Sequence, residues 1–181
     1  MLPQLISVLN HRIQLSTLTI YKFVKDKLNL VNHNIWSCCE YTKTLPNDDI
    51  STSLVTGNTL TITNEFSSIG ETCLDLYYDP SATTYPFFDF KYYYPPEYIG
   101  KSITVTADAF RNNNQRSCQL ILNVNNENLS SVGITSTNFQ KVSNSITLPD
   151  SNLLLIRFVI WRSASTQSTH LYVDNISVTI Q

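Results

Sequence analysis

The sequence is poor in charged residues: Asp, Glu, Lys and Arg make up 14% of its 181 residues, where about a quarter is usual for soluble domains. Asn, Ser and Thr take their place, which suits strands, turns and neutral polar ligands. The one Lys/Arg cluster is Lys22, Lys25 and Lys27, interrupted by Asp26, and the formal net charge is −2. Because nucleic-acid-binding proteins normally present a basic face, nucleic acid is not expected as a partner.

Long hydrophobic runs are also missing. No run reaches the roughly 18 apolar residues of a transmembrane helix, so membrane insertion is not expected. Residues 1–7 lack the basic region and continuous apolar region of a secretory signal, so no signal peptide is predicted. Met1 is equally compatible with a start inside a longer protein.

Cysteine is scarce, with four residues at Cys38, Cys39, Cys73 and Cys118. Zinc sites usually combine spaced pairs such as C-x-x-C, and this spacing does not occur, so a zinc site is not expected. A disulfide between Cys73 and Cys118 stays open. However, Cys118 falls on the apolar phase of its strand, which favours a reduced thiol in the core.

The common catalytic motifs are absent. The three histidines are His11, His33 and His170, and no G-x-S-x-G elbow, H-E-x-x-H motif or phosphate loop occurs. Paired carboxylates for glycoside hydrolysis depend on their separation in space, which the sequence does not give. Most acidic residues fall in predicted turns or in the N-terminal segment, so the sequence favours a protein that is not an enzyme.

Residues 1–30 have the hydrophobic period of a helix. Steps of four and three residues alternate along one seam, which consists of Leu2, Ile6, Leu9, Ile13, Ser16, Ile20, Phe23, Lys27 and Leu30. This heptad pattern predicts a helical stalk over residues 1–28 that associates as a homotrimeric coiled coil through residues 1–30. The alternative is a single amphipathic helix packed on the domain that follows.

From residue 29 onward the hydrophobic period is two. The strand candidates, separated by turns rich in Asn, Asp and Pro, are 29–36, 50–55, 58–64, 72–78, 86–94, 101–110, 117–125, 138–148, 153–162 and 169–180. Many short strands at this spacing predict an all-β antiparallel β-sandwich over residues 29–181. No helical pattern interrupts these strands, which excludes a parallel α/β sheet.

Alternation within the strands assigns side chains to faces. The predicted core positions are Ile103, Val105, Ala107 and Ala109; Cys118, Leu120, Leu122 and Val124; and Leu154, Ile156, Phe158 and Ile160. This phase places Arg157 and Trp161 on the opposite face. In 86–94 the residues Phe88, Phe90, Tyr92 and Tyr94 share one phase, and the other phase contains Asp89, Lys91 and Tyr93.

Five segments follow one another in a familiar order: 29–34 with Trp36, 56–62, 98–109, 139–143 and 171–179. Together they resemble the carbohydrate-binding-module jelly rolls of the galactose-binding-like superfamily. The most specific pieces are the Gly-Lys strand at Gly100 and the closing segment, which is similar to the family's Y-hydrophobic-D-(D/N)-hydrophobic-S-hydrophobic pattern. The resemblance implies a jelly-roll β-sandwich that binds carbohydrate.

A helical segment followed directly by such a domain also resembles the tip of a phage tail fibre or baseplate receptor-binding protein. In those proteins a trimeric stalk presents lectin-like heads to cell-surface glycans. The resemblance implies adhesion to cell-surface or polymeric carbohydrate, at an extracellular location or on a virion surface.

Candidate ligand-binding residues lie on the predicted outward strand faces. Sugar recognition combines flat apolar and aromatic surfaces with a few polar groups, and an exposed Trp beside an Arg is unusual on a sheet face. Trp161 with Arg157 is therefore the main candidate, and its alternative is burial of Trp161 under a loop. Tyr93, with Lys91 on its face, is the second. If their strands belong to the same sheet, further hydrogen-bonding groups are Asp108, Gln119 and Asn123.

The resemblance also implies a structural calcium ion. In the family, the aspartate equivalent to Asp174 often helps to hold this ion between the first and last strands. Calcium takes six to eight oxygen ligands, and Asn32 and Asn34 of the opening segment are the other candidates. The alternative role of Asp174 is to stabilise a local turn or bulge. No other cofactor is expected.

Three functional hypotheses follow from the sequence. The first is a non-catalytic glycan-binding head that is multivalent through the stalk. The second is a structural β-sandwich that decorates a virion or surface assembly without a small ligand, with Trp161 and Tyr93 buried at a protein contact. The third is an accessory module of a glycosidase, in which residues 1–30 are a linker and the chain is a monomer.

Overall fold

The structure is a computed structural model that describes residues 32–36, 50–68 and 72–181. Eleven strands occur in this part of the chain: β1 (Asn32–Trp36), β2 (Ile50–Ser53), β3 (Thr59–Thr63), β4 (Cys73–Tyr78), β5 (Phe87–Tyr93), β6 (Ser102–Arg111), β7 (Cys118–Val124), β8 (Glu127–Ile134), β9 (Gln140–Thr147), β10 (Leu153–Ile160) and β11 (Thr169–Ile180). A 3₁₀ turn at Pro96–Tyr98 is the one helical segment among these residues. No helix in the described ranges has the length and apolarity to cross a membrane. The predicted stalk over residues 1–28 lies outside the described residues and stays a prediction.

The strands form two sheets. Sheet A has the order β3-β4-β11-β6-β9, and β1 also pairs with β11. Sheet B has the order β2-β5-β10-β7-β8. All pairings along these two paths are antiparallel, which confirms the predicted antiparallel β-sandwich.

The core lies between the two sheets and is filled by the predicted alternate positions. Sheet A contributes Ile103, Val105, Ala107 and Ala109, and sheet B contributes Leu154, Ile156, Phe158 and Ile160, all of them buried. Phe88 of β5 stacks on Phe158 of β10 with ring centroids 5.2 Å apart. Burying one large apolar side chain contributes about 1.5–3 kcal/mol, so this alternation is what holds the sheets face to face and turns the other phase outward.

β8 is missing from the predicted strands, and the prediction is wrong on this point. Asn125 and Asn126 form a two-residue turn with φ values of 54° and 66°, the backbone that joins adjacent antiparallel strands in tight hairpins. β8 is an edge strand whose side chains are mostly exposed. Because an edge strand of this kind buries little, its sequence lacks the apolar alternation that identifies the central strands.

Cys118 and Cys73 are both buried, and neither forms a disulfide. Cys118 faces the core, as its phase predicts, and burial raises the pKa of its thiol to about 12. Cys73 packs instead with Phe110 and Tyr172 on the outward side of sheet A. The two cysteines therefore form no disulfide with each other.

Candidate functional site

Most of the predicted ligand-binding residues lie on the outward side of sheet B, which we call the sheet B face. Its members are Phe87, Asp89, Lys91 and Tyr93 from β5, Leu155, Arg157 and Val159 from β10 with Trp161 just beyond it, and Gln119, Ile121 and Asn123 from β7. The strand register places Asp89 opposite Arg157. It also places Lys91 and Asn123 on either side of Leu155.

Trp161 forms one end of the sheet B face. Its indole Nε1–H donates to Gln119 Oε1 at 2.7 Å, and its ring centroid lies 4.6 Å from that of Tyr85. Its backbone N–H donates to the carbonyl of Ser117 at 2.8 Å. Trp161 is half-buried, so these contacts fix the indole while part of it stays accessible.

The segment that carries Tyr85 is held by Asn58. The Asn58 side-chain Nδ2 donates to the carbonyl of Thr84 at 3.3 Å, and its Oδ1 accepts the backbone N–H of Asp79 at 2.9 Å. Arg162 donates from Nη1 to the carbonyl of Thr83 at 3.2 Å. The β4–β5 loop that carries Tyr85 is therefore held by Asn58 of the β2–β3 loop and by Arg162, the residue that follows Trp161.

Arg157 makes a bidentate ion pair with Asp89 at the centre of the face. Nε donates to Oδ1 at 2.8 Å and Nη2 donates to Oδ2 at 2.9 Å, and the guanidinium carbon lies 3.8 Å from the centroid of the Phe87 ring. The hydrogen bonds that Arg157 donates to the Asp89 carboxylate raise the pKa of Arg157. The pair uses two nitrogens of the guanidinium and leaves Nη1 outside it. The main contact of Arg157 therefore joins β10 to β5.

The other end of the face is polar. Asn123 Nδ2 donates to Asn128 Oδ1 at 2.9 Å, whereas Asn123 Oδ1 is buried and has no hydrogen-bond partner. Lys91 is half-buried on the far side of Leu155, and Tyr93 is 47% exposed. This end therefore offers a cation and an exposed tyrosine side chain, whereas the amide of Asn123 is buried.

The two ends are well separated. At about 3.3 Å per residue, Trp161 lies about 26 Å from Leu153, the β10 partner of Tyr93. Between them Asp89, Ile121 and Val159 are buried. Trp161 and Tyr93 therefore belong to two accessible regions of one face and do not form a single aromatic platform.

Asp108 does not lie on the sheet B face, because its strand and those of Gln119 and Asn123 belong to different sheets. It lies on β6, in sheet A, opposite Asp174 of β11. Its Oδ2 accepts hydrogen bonds from Ser68 Oγ at 3.1 Å and from Asn175 Nδ2 at 3.0 Å. The alternation of β6 predicts correctly that Asp108 points outward, but it does not show which sheet contains β6.

Asp174 is fully buried and its carboxylate accepts hydrogen bonds at both oxygens. Oδ2 accepts Ser68 N–H at 3.0 Å and Ser68 Oγ–H at 3.0 Å, and Oδ1 accepts Asn175 N–H at 2.7 Å. Asn175 has a positive φ of 49° and stands where the β6–β11 register shifts. These contacts match the alternative role of Asp174, which is to stabilise a bulge.

The calcium prediction draws on Asp174, Asn32 and Asn34. Within the described residues, no group of three or more His, Cys, Asp or Glu side chains is arranged to hold a metal ion. The groups around Asp174 are N–H and O–H donors, and its role as a calcium ligand stays a prediction. Only the backbone of β1 is described, so a contribution from Asn32 and Asn34 stays a prediction.

Sequence reasoning missed Tyr85 and Phe87 as members of the site. Both lie on the same odd-numbered phase as Asp89, Lys91 and Tyr93, so the alternation of the aromatic run contains the signal. What hides it is the density of the run, because most of its aromatic residues do pack in the core. The contact between Tyr85 and Trp161 joins residues far apart in sequence, and no local pattern shows it.

A second aromatic cluster covers the outward side of sheet A. Phe110 stacks on Tyr172 with centroids 4.6 Å apart, and Phe66 and Phe139 pack edge-on against this pair. Burial raises the pKa of Tyr172. Because these rings cover Cys73 and one another, this cluster is a packing unit on which the chain after β3 rests.

Comparison with known proteins was made by sequence and by structure. No protein-family model and no curated protein match the sequence. The fold is similar to the CBM22-2 xylan-binding domain of Paenibacillus barcinonensis Xyn10C, with a TM-score of 0.52 and 12% identity over 83% of this chain and 98% of that domain. It is also similar to TmCBM61 in complex with β-1,4-galactotriose, with a TM-score of 0.52 and 10% identity over 77% of this chain and 99% of the module.

A third similar structure is the enzymatically active domain of tailspike protein 4 from bacteriophage CBA120. The TM-score is 0.55 and the identity 14%, over 77% of this chain. This chain spans only 20% of the tailspike chain, but nearly the full length of the two carbohydrate-binding modules. At such identities the likeness concerns the fold: the described sandwich has the jelly-roll fold of the carbohydrate-binding modules.

Proposed function

We propose that this protein is a non-catalytic glycan-binding module whose ligand lies on the sheet B face. The observation that carries the proposal is Trp161, a half-buried indole that Gln119 and Tyr85 fix at an accessible end of the face. Binding is stronger when side chains need not be ordered at the moment of association. A sugar ring that stacks on this indole meets a surface that is already in place.

Polar groups of the same face suit the hydroxyls of a sugar. The Nη1 group of Arg157 lies outside its ion pair, and Lys91 contributes an ammonium donor. A few such groups on a mainly apolar surface are typical of small-ligand sites. The β-sandwich neighbours support this assignment, since one of them is a xylan-binding domain and another was solved with β-1,4-galactotriose.

The test of the proposal is Trp161→Ala, with Phe66→Ala as the matched control. Phe66 is an aromatic residue with 39% exposure on the other side of the sandwich. Truncation of a central aromatic anchor typically costs about 2 kcal/mol or more in binding, a loss of at least about 20-fold. Glycan-array and affinity-electrophoresis measurements should show this loss for Trp161→Ala only, with far-ultraviolet circular dichroism unchanged in both variants. Equal glycan retention by wild type and Trp161→Ala contradicts the proposal.

The proposal includes multivalency through residues 1–30 and a place on a virion or another extracellular surface. Its basis is the heptad pattern of the sequence. Linked sites gain about 10²–10⁴ in avidity over a single site, which compensates for a weak individual head. Light scattering of the full chain tests this part: a trimer supports it, and a monomer removes the stalk and favours an accessory module.

A further inference from the structure

Charge is unevenly divided between the two faces of the sandwich. The outward side of sheet A has the carboxylates of Asp75, Asp108 and Asp174 on β4, β6 and β11, and one lysine, Lys141 on β9. The sheet B face has one carboxylate, Asp89, which Arg157 neutralises. Although the chain as a whole has a formal net charge of −2, the sheet B face has no net negative charge from its strands.

Two further cations lie on or beside the sheet B face. Lys91 stands in the row of Leu155 and Asn123, and the exposed Arg162 lies just past the end of the face, where it follows Trp161 and donates to the carbonyl of Thr83. Within the described residues neither forms an ion pair, since the ion pairs found there are Arg157–Asp89 and His170–Asp75. Each therefore adds an uncompensated positive charge, one at the polar end and one at the aromatic end.

The two cations are far apart. Leu155 marks the row of Lys91, and Arg162 lies seven residues further along, a distance of about 23 Å at 3.3 Å per residue. A single acidic sugar cannot contact both. An extended polymer with repeated anionic groups can.

We propose that the ligand of the sheet B face is an acidic polysaccharide, whose carboxylate or sulfate groups pair with Lys91 and Arg162 at the two ends of the face. This inference rests on the proposed glycan-binding function and specifies its substrate class. The uncharged sugar surface stacks on Trp161, and the anionic groups select the polymer. Pairing with exposed side chains is also weakened by salt.

The experiment compares charged and neutral forms of the same polymers. The probes are polygalacturonate against its fully methyl-esterified form, and dextran sulfate against dextran, so that carboxylate and sulfate are tested separately. The variants are Lys91→Gln and Arg162→Gln, with Lys141→Gln as the matched control. Lys141 is exposed on β9 of sheet A, where it stands opposite Asp108, and its replacement makes the same charge change on the other face.

The wild-type protein should bind a charged form more tightly than its neutral counterpart. Exposed ion pairs contribute up to about 1 kcal/mol each, so Lys91→Gln and Arg162→Gln should each weaken binding of the charged form by about two- to fivefold. Lys141→Gln should leave it unchanged. Preference for carboxylate or for sulfate identifies the anionic group.

Equal binding of the charged and neutral forms overturns the inference, and so does an equal loss for Lys141→Gln and Lys91→Gln. The failure of the proposed function looks different. If Trp161→Ala weakens binding of neutral polymers that show no charge preference, glycan binding on this face stands and only the substrate class is wrong. If no probe binds, or Trp161→Ala changes nothing, the proposed function itself fails.

Discussion

The ion pair between Arg157 and Asp89 gives a sharp prediction because its two members differ in burial. The Arg157 side chain is 19% exposed and that of Asp89 is 3% exposed. Removing one partner leaves the other charge without compensation, which costs about 3–5 kcal/mol in a buried pair and about 0–1 kcal/mol in an exposed one. Arg157→Met leaves the inaccessible carboxylate alone, and Asp89→Asn leaves a guanidinium that still reaches water. We therefore expect Arg157→Met to cost about 3 kcal/mol and Asp89→Asn about 1–2 kcal/mol.

The double variant Asp89→Asn with Arg157→Met completes a thermodynamic cycle. It leaves no isolated charge, so it should cost clearly less than the sum of the two single variants. The contact of Arg157 with Phe87 is lost in both variants that lack the guanidinium, and it therefore cancels from the coupling term. Urea unfolding followed by tryptophan fluorescence and circular dichroism measures the free energy of unfolding. Additive costs, or a larger cost for Asp89→Asn than for Arg157→Met, would refute the reasoning from burial.

Two further predictions concern other parts of the sandwich. The hydrogen bond with Asp75 raises the pKa of His170, so its stabilisation is fully present below the unfolded value of about 6.5 and disappears as pH rises through the folded value. The stability gap between wild type and Asp75→Asn, measured by urea unfolding, should thus be wider near pH 5.5 than near pH 8.5, and a pH-independent gap contradicts this. Gly57 has a φ of +94°, and a Cβ there would lie 2.6 Å from Asp79 Oδ2. Gly100 is the control, because its φ is +81° but a Cβ there meets nothing within 4 Å. Gly57→Ala should therefore destabilise the fold by about 1 kcal/mol or more beyond Gly100→Ala, and it should lower the melting temperature further. Equal melting-temperature shifts would show that Asp79 moves aside freely.

The sequence predicts which face of a sheet a residue lies on better than it predicts which residues contact it. Period-two alternation placed Leu154 and Phe158 in the core and Arg157 and Trp161 outside it, and the structure confirms both assignments. The reason is physical: hydrophobic burial acts on every second residue of one strand, so the pattern is local. Strand β8 was missed because most of its side chains are exposed on both faces, so its sequence lacks the alternation of apolar and polar residues.

The hydrophobic pattern of a single strand does not show which other strands it pairs with. Asp108 and Gln119 are both outward polar residues on strands predicted with nearly correct bounds, yet they lie on opposite sides of the sandwich. Sheet membership depends on the order of strands, here β5-β10-β7 with long connections between sequence neighbours. For the same reason neither the contact of Trp161 with Tyr85 nor the pairing of Arg157 with Asp89 can be seen in one strand alone.

The residues that contact an outward side chain determine which of its groups remain available to a ligand. Arg157 and Trp161 share a strand phase and looked like one binding unit in the sequence. In the structure Asp89, directly across from Arg157, pairs with two of its nitrogens, whereas Trp161 stands beyond the last paired residue of β10, donates its indole N–H to Gln119 and packs at a tilt against Tyr85. The ion pair occupies polar groups that a ligand would use, but the indole of Trp161 is only half-buried. For the proposed glycan ligand Trp161 is therefore the better anchor, and the ion pair of Arg157 links β10 to β5.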